Sequence, residues 1–207
     1  MRLVLATHNE HKRREFARLF ARTAGTERWE VEALPKAVIL PPEEGETFAA
    51  NALAKARAAA AGTHRPSIAD DSGIEAAALD GAPGVRSARY AGESASDEEN
   101  LQKLLVQAPA GSALRYVCAI AYVDPRTGAE RVFEGRCSGR LAAQPRGEGG
   151  FGYDPAFLPD ESPPGEESSP ALTMAELSDE QKDAISHRGH AVRALLAWLT
   201  SAPPMKG

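Results

Sequence analysis

Asp70-Asp71-Ser72-Gly73 sets two carboxylates, a hydroxyl and a glycine at the end of a short apolar run, Ser67-Ile68-Ala69. Adjacent carboxylates repel each other. A divalent cation such as Mg²⁺ is a natural counter-charge, because it takes hard oxygen ligands and usually keeps several waters. The competing reading is an ordinary solvated turn, in which Asp, Ser and Gly do no chemistry. A second stretch, Thr7-His8-Asn9-Glu10-His11-Lys12, leaves the strand-like Leu3-Val4-Leu5-Ala6 and enters a helix. Such a turn aims backbone N–H groups and a positive dipole end at an anion. Lys12 in the first helical turn is poorly placed on dipole grounds unless an anion lies beside it. A third, Gly147-Glu148-Gly149-Gly150-Phe151-Gly152-Tyr153-Asp154, matches G-x-G-x-x-G on paper. A dinucleotide fingerprint must follow a strand and open a helix. Here Pro145 precedes the run and Pro155 follows it, so the stretch reads as a loop presenting one aromatic face and one carboxylate. The fourth, Lys182 with Ser186-His187-Arg188-Gly189, interrupts a helical pattern where donors can project.

Alternation and helical spacing say which elements must hold these groups. Leu3–Ala6 reads as a buried strand, and Phe16, Leu19 and Phe20 give a helix from about Lys12. Trp29–Leu34 alternates as a second strand. Pro35–Glu46 is a loop carrying Glu43, Glu44 and Glu46, and Thr47 caps an Ala-rich helix to about Ala61. Ser67–Ala69 is the next strand, so the first third predicts an α/β sheet. Ser96-Asp97-Glu98-Glu99 opens a capped helix. Arg115–Val123 and Glu130–Cys137 form a hairpin about Asp124–Gly128, with a third short strand at Gly139–Ala143. The sheet is therefore mixed. Asp160–Pro170 is an exposed loop. Glu176–Gln181 opens another capped helix, Ser186–His190 interrupts the pattern, and Ala191–Leu199 is an amphipathic helix. Residues 201–207 read as a disordered tail.

Composition narrows the classes. The 207 residues are 43% hydrophobic and 26% charged, with net charge −5. No global basic field exists to draw nucleic acid or an anionic membrane. No apolar run approaches the length of a membrane span. Met1–Ala6 is too short for a signal-peptide core, so the expected compartment is the cytoplasm. Cys118 and Cys137 lack zinc spacing and read as small buried residues. His8-x-x-His11 and His187-x-x-His190 read as solvent-facing pairs rather than ligands. P-loop, zincin and serine-hydrolase motifs are absent.

Carboxylates for Mg²⁺, dispersed cations (Lys12, Lys182, Arg188), an anion-receptive helix start and an aromatic Gly-rich loop converge on a nucleoside triphosphate. Its base would stack on Phe151 and its phosphates would meet Thr7–Lys12. Six ordered blocks then carry a family resemblance: Ala6-Thr7-His8-Asn9 with Lys12; Gly45-x-Thr47-Phe48 with Asn51-Ala52; Ala69-Asp70-Asp71-Ser72-Gly73; Gly81-Ala82-Pro83-Gly84 with Ser87-Ala88-Arg89-Tyr90; Gly149–Pro155; and Lys182-x-x-x-Ser186-His187-Arg188-Gly189. From Leu3 to about Leu196 the chain resembles the inosine triphosphate pyrophosphatases, which act on non-standard purine nucleotides such as dITP and XTP. The resemblance implies one domain over residues 1–200, with an elongated mixed α/β sheet, flanking helices and two lobes around a central cleft. It implies a homodimer and Mg²⁺-dependent cleavage to monophosphate and pyrophosphate. It assigns the triphosphate to Thr7, His8, Asn9, Glu10, His11 and Lys12, makes Asp71 proton acceptor and metal ligand, and puts Ser72 on substrate. It gives the base to Phe151, Gly152, Tyr153 and Asp154, phosphate or sugar to Lys182, and the purine edge to His187 and Arg188. The family usually carries Glu before the Asn of the second block; here Ala50 stands there. Glu43 is then the first choice for an acidic metal partner and Glu44 the second. The alternatives are a Maf-like pyrophosphatase for modified pyrimidine nucleotides and a non-catalytic nucleotide sensor.

Overall fold

The computed structural model describes residues 2–22, 29–164 and 171–201. The tail expected after Ser201 and the second half of the expected Asp160–Pro170 loop lie outside the described residues. Strands and helices follow one another as β1 (Arg2–Leu5), α1 (Glu10–Arg22), β2 (Glu30–Ala33), α2 (Phe48–Thr63), β3 (Ser67–Ala76), α3 (Asp97–Gln107), β4 (Ala113–Asp124), β5 (Ala129–Leu141), β6 (Phe157–Pro159), α4 (Asp179–Ile185) and α5 (His187–Ser201). The strands make one mixed sheet in the order β2-β1-β3-β4-β5-β6, as the alternation of strand types predicts. The chain divides into two compact units, one from Met1–Asp71, Cys118–Gly135 and His190–Gly207, the other from Ser72–Val117 and Arg136–Gly189.

In the first unit β1 pairs in parallel with β2 (Leu3 with Val31) and with β3 (Leu5 with Ile68). Its residues Leu3, Val4 and Leu5 are all buried, as befits a parallel strand covered on both faces. Right-handed crossovers leave β1 toward β2 in one direction and return toward β3 in the other, which sets α1 and α2 on opposite faces of the sheet. The core agrees with this. Leu3, Leu5 and Ile68 pack with Phe16, Leu19 and Phe20 of α1 and with Val192, Leu195 and Leu196 of α5. The other face takes α2, whose buried positions Phe48, Asn51, Ala52, Lys55, Ala56, Ala59 and Ala60 recur every three or four residues.

α1 starts at Glu10, two residues before the predicted start. The Asn9 side chain accepts the Lys12 backbone N–H at 3.0 Å and so caps the helix earlier than its apolar pattern begins. Thr47 caps α2 as expected, accepting Ala50 N–H at 3.1 Å.

The second unit has its own core: Ile74, Leu101, Leu104, Tyr116, Cys137, Tyr153, Phe157, Met174 and Ile185 among others. The reciprocal capping box of Ser96 and Glu99 opens α3 as read from the sequence. Three expectations need correction. β3 does not stop at the Asp pair but runs on to Ala76. The short strand expected at Gly139–Ala143 is the end of β5, and the partner it pairs with is β6, which the sequence reading missed. The interruption expected over Ser186–His190 is confined to Ser186, in extended conformation, and α5 begins at His187 with Gly189 inside it. Ser186 Oγ accepts Gly189 N–H at 3.0 Å, so a serine cap restarts the helix and the glycine is merely its third residue.

Candidate active site: a carboxylate–lysine cluster and an aromatic–imidazole cluster

Continuation of β3 through the Asp pair decides the first cluster. Neighbouring residues of a strand point to opposite faces, so Asp70 follows Ile68 toward the α1 side and Asp71 follows Ala69 toward the α2 side. Each carboxylate meets a different helix. Lys12 of α1 pairs with Asp70 at 3.0 Å, and Asn51 of α2 donates Nδ2–H to Asp71 Oδ2 at 2.8 Å. Asp70 is 0% exposed and Asp71 4%, which excludes the solvated-turn reading. The counter-charges the pair requires are lysines. Lys12 lies where its anion is Asp70, which resolves its awkward position in the first turn of α1.

Lys55, one helical turn beyond Asn51, donates to the Asp70 carbonyl at 2.6 Å and pairs with Glu43. Burial works against its ammonium, but Asp70, Glu43 and Asp71 outweigh that and raise its pKa, so it is a permanent cation. The Asp71 carboxyl is pushed above its ordinary value by burial and by Glu43, with Lys55 and Asn51 pulling it back. Asn51 also ties down the preceding loop: its Oδ1 accepts Gly45 N–H at 2.7 Å. A Cβ on residue 45 would sit 2.6 Å from that oxygen, which explains the glycine in the Gly45-x-Thr47 block. Glu44 and Ala50 are exposed, Ala50 on the first turn of α2. His8, Asn9, Glu10 and His11 are exposed and Thr7 is half-buried, with Thr7 Oγ1 accepting Asn9 N–H at 3.2 Å.

Among the described residues no group of three or more His, Cys, Asp or Glu could hold a metal. Mg²⁺ asks for less, since one or two carboxylates serve when substrate phosphates and waters complete the shell. Asp71 and Glu43, which share Lys55 as a neighbour, meet that minimum with hard oxygens.

The second cluster lies wholly in the second unit. Phe151 is half-buried at the tip of the Gly-rich loop, with Lys182 Nζ 5.2 Å from its ring centroid and Arg188 Cζ 5.8 Å. Asp154 holds this arrangement together: Oδ2 takes Lys182 Nζ at 2.7 Å and Phe151 N–H at 2.9 Å, while Oδ1 takes the Tyr116 hydroxyl at 3.1 Å. Gly150, at φ +70°, lies against that carboxylate, and a Cβ there would come within 2.9 Å of Asp154 Cγ. Tyr153 is buried, its hydroxyl donated to the Ser87 carbonyl at 2.8 Å, and Gly152 N–H reaches Asp97 at 3.0 Å. Arg188 is 2% exposed and donates to Ser72 Oγ at 2.9 Å. His187 is buried as well, against the expectation of a solvent-facing pair, and stacks on Tyr116.

Sequence reasoning named most of these residues but missed Lys55 and Tyr116, and used Asn51 only as part of a block. A signal for two of them existed. Asn51 and Lys55 are polar residues on the stripe of α2 that is otherwise Phe48, Ala52, Ala56, Ala59 and Ala60. A polar residue on a buried helical stripe needs a partner, and here the partners are the Asp pair and Glu43. Nothing comparable marks Tyr116, which looks like any aromatic of a buried strand.

Comparison with known proteins gives the same answer from outside. A family model described as the Ham1 family matches residues 3–198. The dITP/XTP pyrophosphatase of Cutibacterium acnes is 49% identical over 201 residues, 94% of each chain. That of Geobacillus kaustophilus is 46% identical over 198 residues, 93% of this chain and 91% of its own. A HAM1 protein from Coxiella burnetii superposes with TM-score 0.81 at 38% identity, covering 98% of this chain and all of that one. The nucleoside-triphosphatase / dITP/XTP pyrophosphatase of Mycobacterium abscessus gives 0.70 at 39% identity, over 96% of this chain. The resemblance carried by the six blocks is borne out across nearly the whole sequence, and the chain belongs to the Ham1 family.

Proposed function

We propose that this chain hydrolyses non-standard purine nucleoside triphosphates (dITP, ITP and XTP) to the monophosphate and pyrophosphate, removing them from the nucleotide pool. The observation that carries the reading is the buried Asp71 carboxylate, fixed by Asn51 and flanked by Lys55, Glu43 and Lys12. Relatives so similar over nearly their full length bear the name dITP/XTP pyrophosphatase.

In this reading Lys12, with the polar side chains of Thr7, His8, Asn9, Glu10 and His11 around it, receives the triphosphate. Lys12 then exchanges Asp70 for phosphate oxygen. Asp71 takes the proton of a water attacking the α-phosphorus; the α–β bridging P–O bond breaks and pyrophosphate leaves with the bridging oxygen. Asp71 contributes chiefly by orienting the water, since phosphoryl transfer depends on positioning and charge stabilisation more than on strong proton abstraction. Mg²⁺, held by Asp71 and Glu43, would neutralise phosphate charge when bound. Lys55 keeps that acidic pair folded together before substrate arrives.

The base stacks on Phe151, with Gly152, Tyr153 and Asp154 forming the loop behind it, Lys182 on phosphate or sugar and Ser72 contacting substrate. His187 and Arg188 read the purine edge. Hypoxanthine and xanthine offer a 6-oxo acceptor where adenine offers an amino donor, so a donor such as Arg188 bonds the former and is left facing a donor by the latter. A site built on buried hydrogen bonds discriminates by about 10⁴-fold. A homodimer and a cytoplasmic setting belong to the same reading. No helix among the described residues is long and apolar enough to cross a membrane.

Pyrophosphate release from dITP, ITP, XTP, dGTP and dATP, each with and without Mg²⁺, tests the reading. Release from dITP and XTP that needs Mg²⁺ and exceeds release from dATP by orders of magnitude is expected. Equal rates on dATP would remove the purine assignment, and no release from any of them would remove the enzyme.

A further inference from the structure

Tyr116 of β4 touches both halves of the second cluster. Its ring lies parallel to the His187 imidazole, centroids 4.6 Å apart and planes 9° apart. Phe157 of β6 packs against the same ring at 4.5 Å. That approach relies on Gly139, where a Cβ would lie 2.6 Å from Phe157 Cε1. The Tyr116 hydroxyl donates to Asp154 Oδ1 at 3.1 Å, on the carboxylate whose other oxygen holds Lys182 and the Phe151 backbone. We propose that Tyr116 is a positioning residue for purine selection: its ring sets the plane of His187, and its hydroxyl sets the Asp154 carboxylate that places Lys182 and Phe151. The proposal rests on the reading of the site given above.

A residue that only filled the core would use its volume, and phenylalanine would serve as well. Tyr116 instead aims its hydroxyl at one oxygen of a buried carboxylate while its face aligns an imidazole. A buried carboxylate oxygen stripped of a donor is costly, so the hydroxyl restrains Asp154 and not merely the tyrosine. Burial, and next the Asp154 charge, push the Tyr116 phenol well above its ordinary range, so it remains a proton donor at any working pH. His187 is thereby fixed twice, by the stack and by its place directly after the Ser186 cap.

Tyr116 has no part in the Asp71 cluster, so its loss weakens base binding in ground state and transition state alike, which raises KM and spares kcat. Y116F and Y116L are compared with wild type on dITP, XTP, dGTP and dATP, and the His187 ring protons are followed by NMR in the free enzyme. Y116F keeps the stack: KM for dITP rises three- to tenfold, kcat stays within twofold, and the dITP-to-dATP ratio of kcat/KM is unchanged. Y116L loses both contacts: KM rises more than tenfold, that ratio falls at least fivefold, and the upfield displacement of the His187 protons by the Tyr ring disappears. An unchanged KM in Y116F, or a fall in kcat as large as the rise in KM, overturns the proposal, as does a Y116L enzyme with wild-type selectivity. If Y116L does not fold by circular dichroism, Y116F alone decides. A wild-type enzyme that ignores the purine base would overturn the functional reading itself, and the NMR comparison would still judge whether Tyr116 orients His187.

Discussion

In the first unit a carboxylate pair is met by side chains from two helices, Lys12 from α1 and Asn51 and Lys55 from α2; in the second, one carboxylate, Asp154, is met by a lysine, a phenol and a backbone N–H. The exposures differ too. Lys12 and Glu43 side chains are 14% and 30% exposed, whereas those of Lys182 and Asp154 are 7% and 5%. Lys12 and Glu43 are the members of that cluster that reach solvent, their partners Asp70 and Lys55 being buried, and on the proposed reading it is at them that a polyphosphate and its cation arrive and leave. The Asp154 network is closed on itself and braced by stacked rings, which suits a surface that must keep its shape to tell one base from another. On the proposed reading, charge handling and base reading call for opposite mechanical properties, and the residues proposed for each fall in separate units.

The largest effect expected is at Asp71. Asp71→Asn keeps the shape and can still bond Asn51 through its amide oxygen, so the fold survives while the proton acceptor is lost. Turnover of dITP should fall about 10³-fold, with an unchanged circular dichroism spectrum. Retention of a tenth of wild-type turnover would relieve Asp71 of the role and leave the first cluster a purely structural charge lock.

Glu43→Gln comes next, because it separates charge from hydrogen bonding at the same position. Lys55 keeps an acceptor, but Asp71 loses the neighbouring oxygen anion that a hard cation needs. We expect kcat/KM to fall about 10–100-fold, the range seen when metal-site support is removed, with half-maximal activity requiring more Mg²⁺. In the second unit the corresponding cut is Phe151→Ala. One lost base–ring stack is worth about 1–3 kcal/mol, which predicts KM for dITP up about tenfold with kcat nearly unchanged. A variant of Phe151 that lost kcat, or one of Glu43 that lost only KM, would blur the division of labour between the clusters.

How much of this was legible in the chain depends on whether the cause is local. The Thr47 cap, the Ser96–Glu99 and Ser178–Gln181 capping boxes and the helical stripe of α1 are written within a few residues of each other, and all are found. Asp70–Gly73 reads as a strand end because Asp, Ser and Gly have low strand propensity. It is a mid-strand segment because Lys12, Asn51 and Lys55, remote in sequence, supply partners inside the fold. Ser87 shows the converse. It belongs to a block that carries the family resemblance, yet its hydroxyl accepts Ile74 N–H at 2.9 Å and donates to the Gly84 carbonyl at 2.6 Å, stapling a turn to β3. Block matching found it without revealing that it is scaffolding. Gly189 misled in a third way: a glycine in a helical pattern widens the expected interruption to Ser186–His190, but the break is made at Ser186 alone, and the helix restarts at His187.

Glu44 gives the smallest effect and the sharpest control. The sequence offers Glu43 and Glu44 side by side, with nothing in composition or spacing to rank them beyond the resemblance. The fold ranks them: Glu43 pairs with the buried Lys55, and Glu44 is exposed. An exposed carboxylate beside a site acts only through a solvent-screened field, so Glu44→Gln should leave kcat/KM within twofold and the Mg²⁺ requirement unchanged. Measuring both variants at low and at physiological salt completes the test. If Glu44→Gln matched Glu43→Gln, and both effects faded as salt rose, the loop would act as a diffuse negative patch. Glu43 would then hold no special place beside Asp71, and the contrast between held charge in one unit and braced rings in the other would lose its first half.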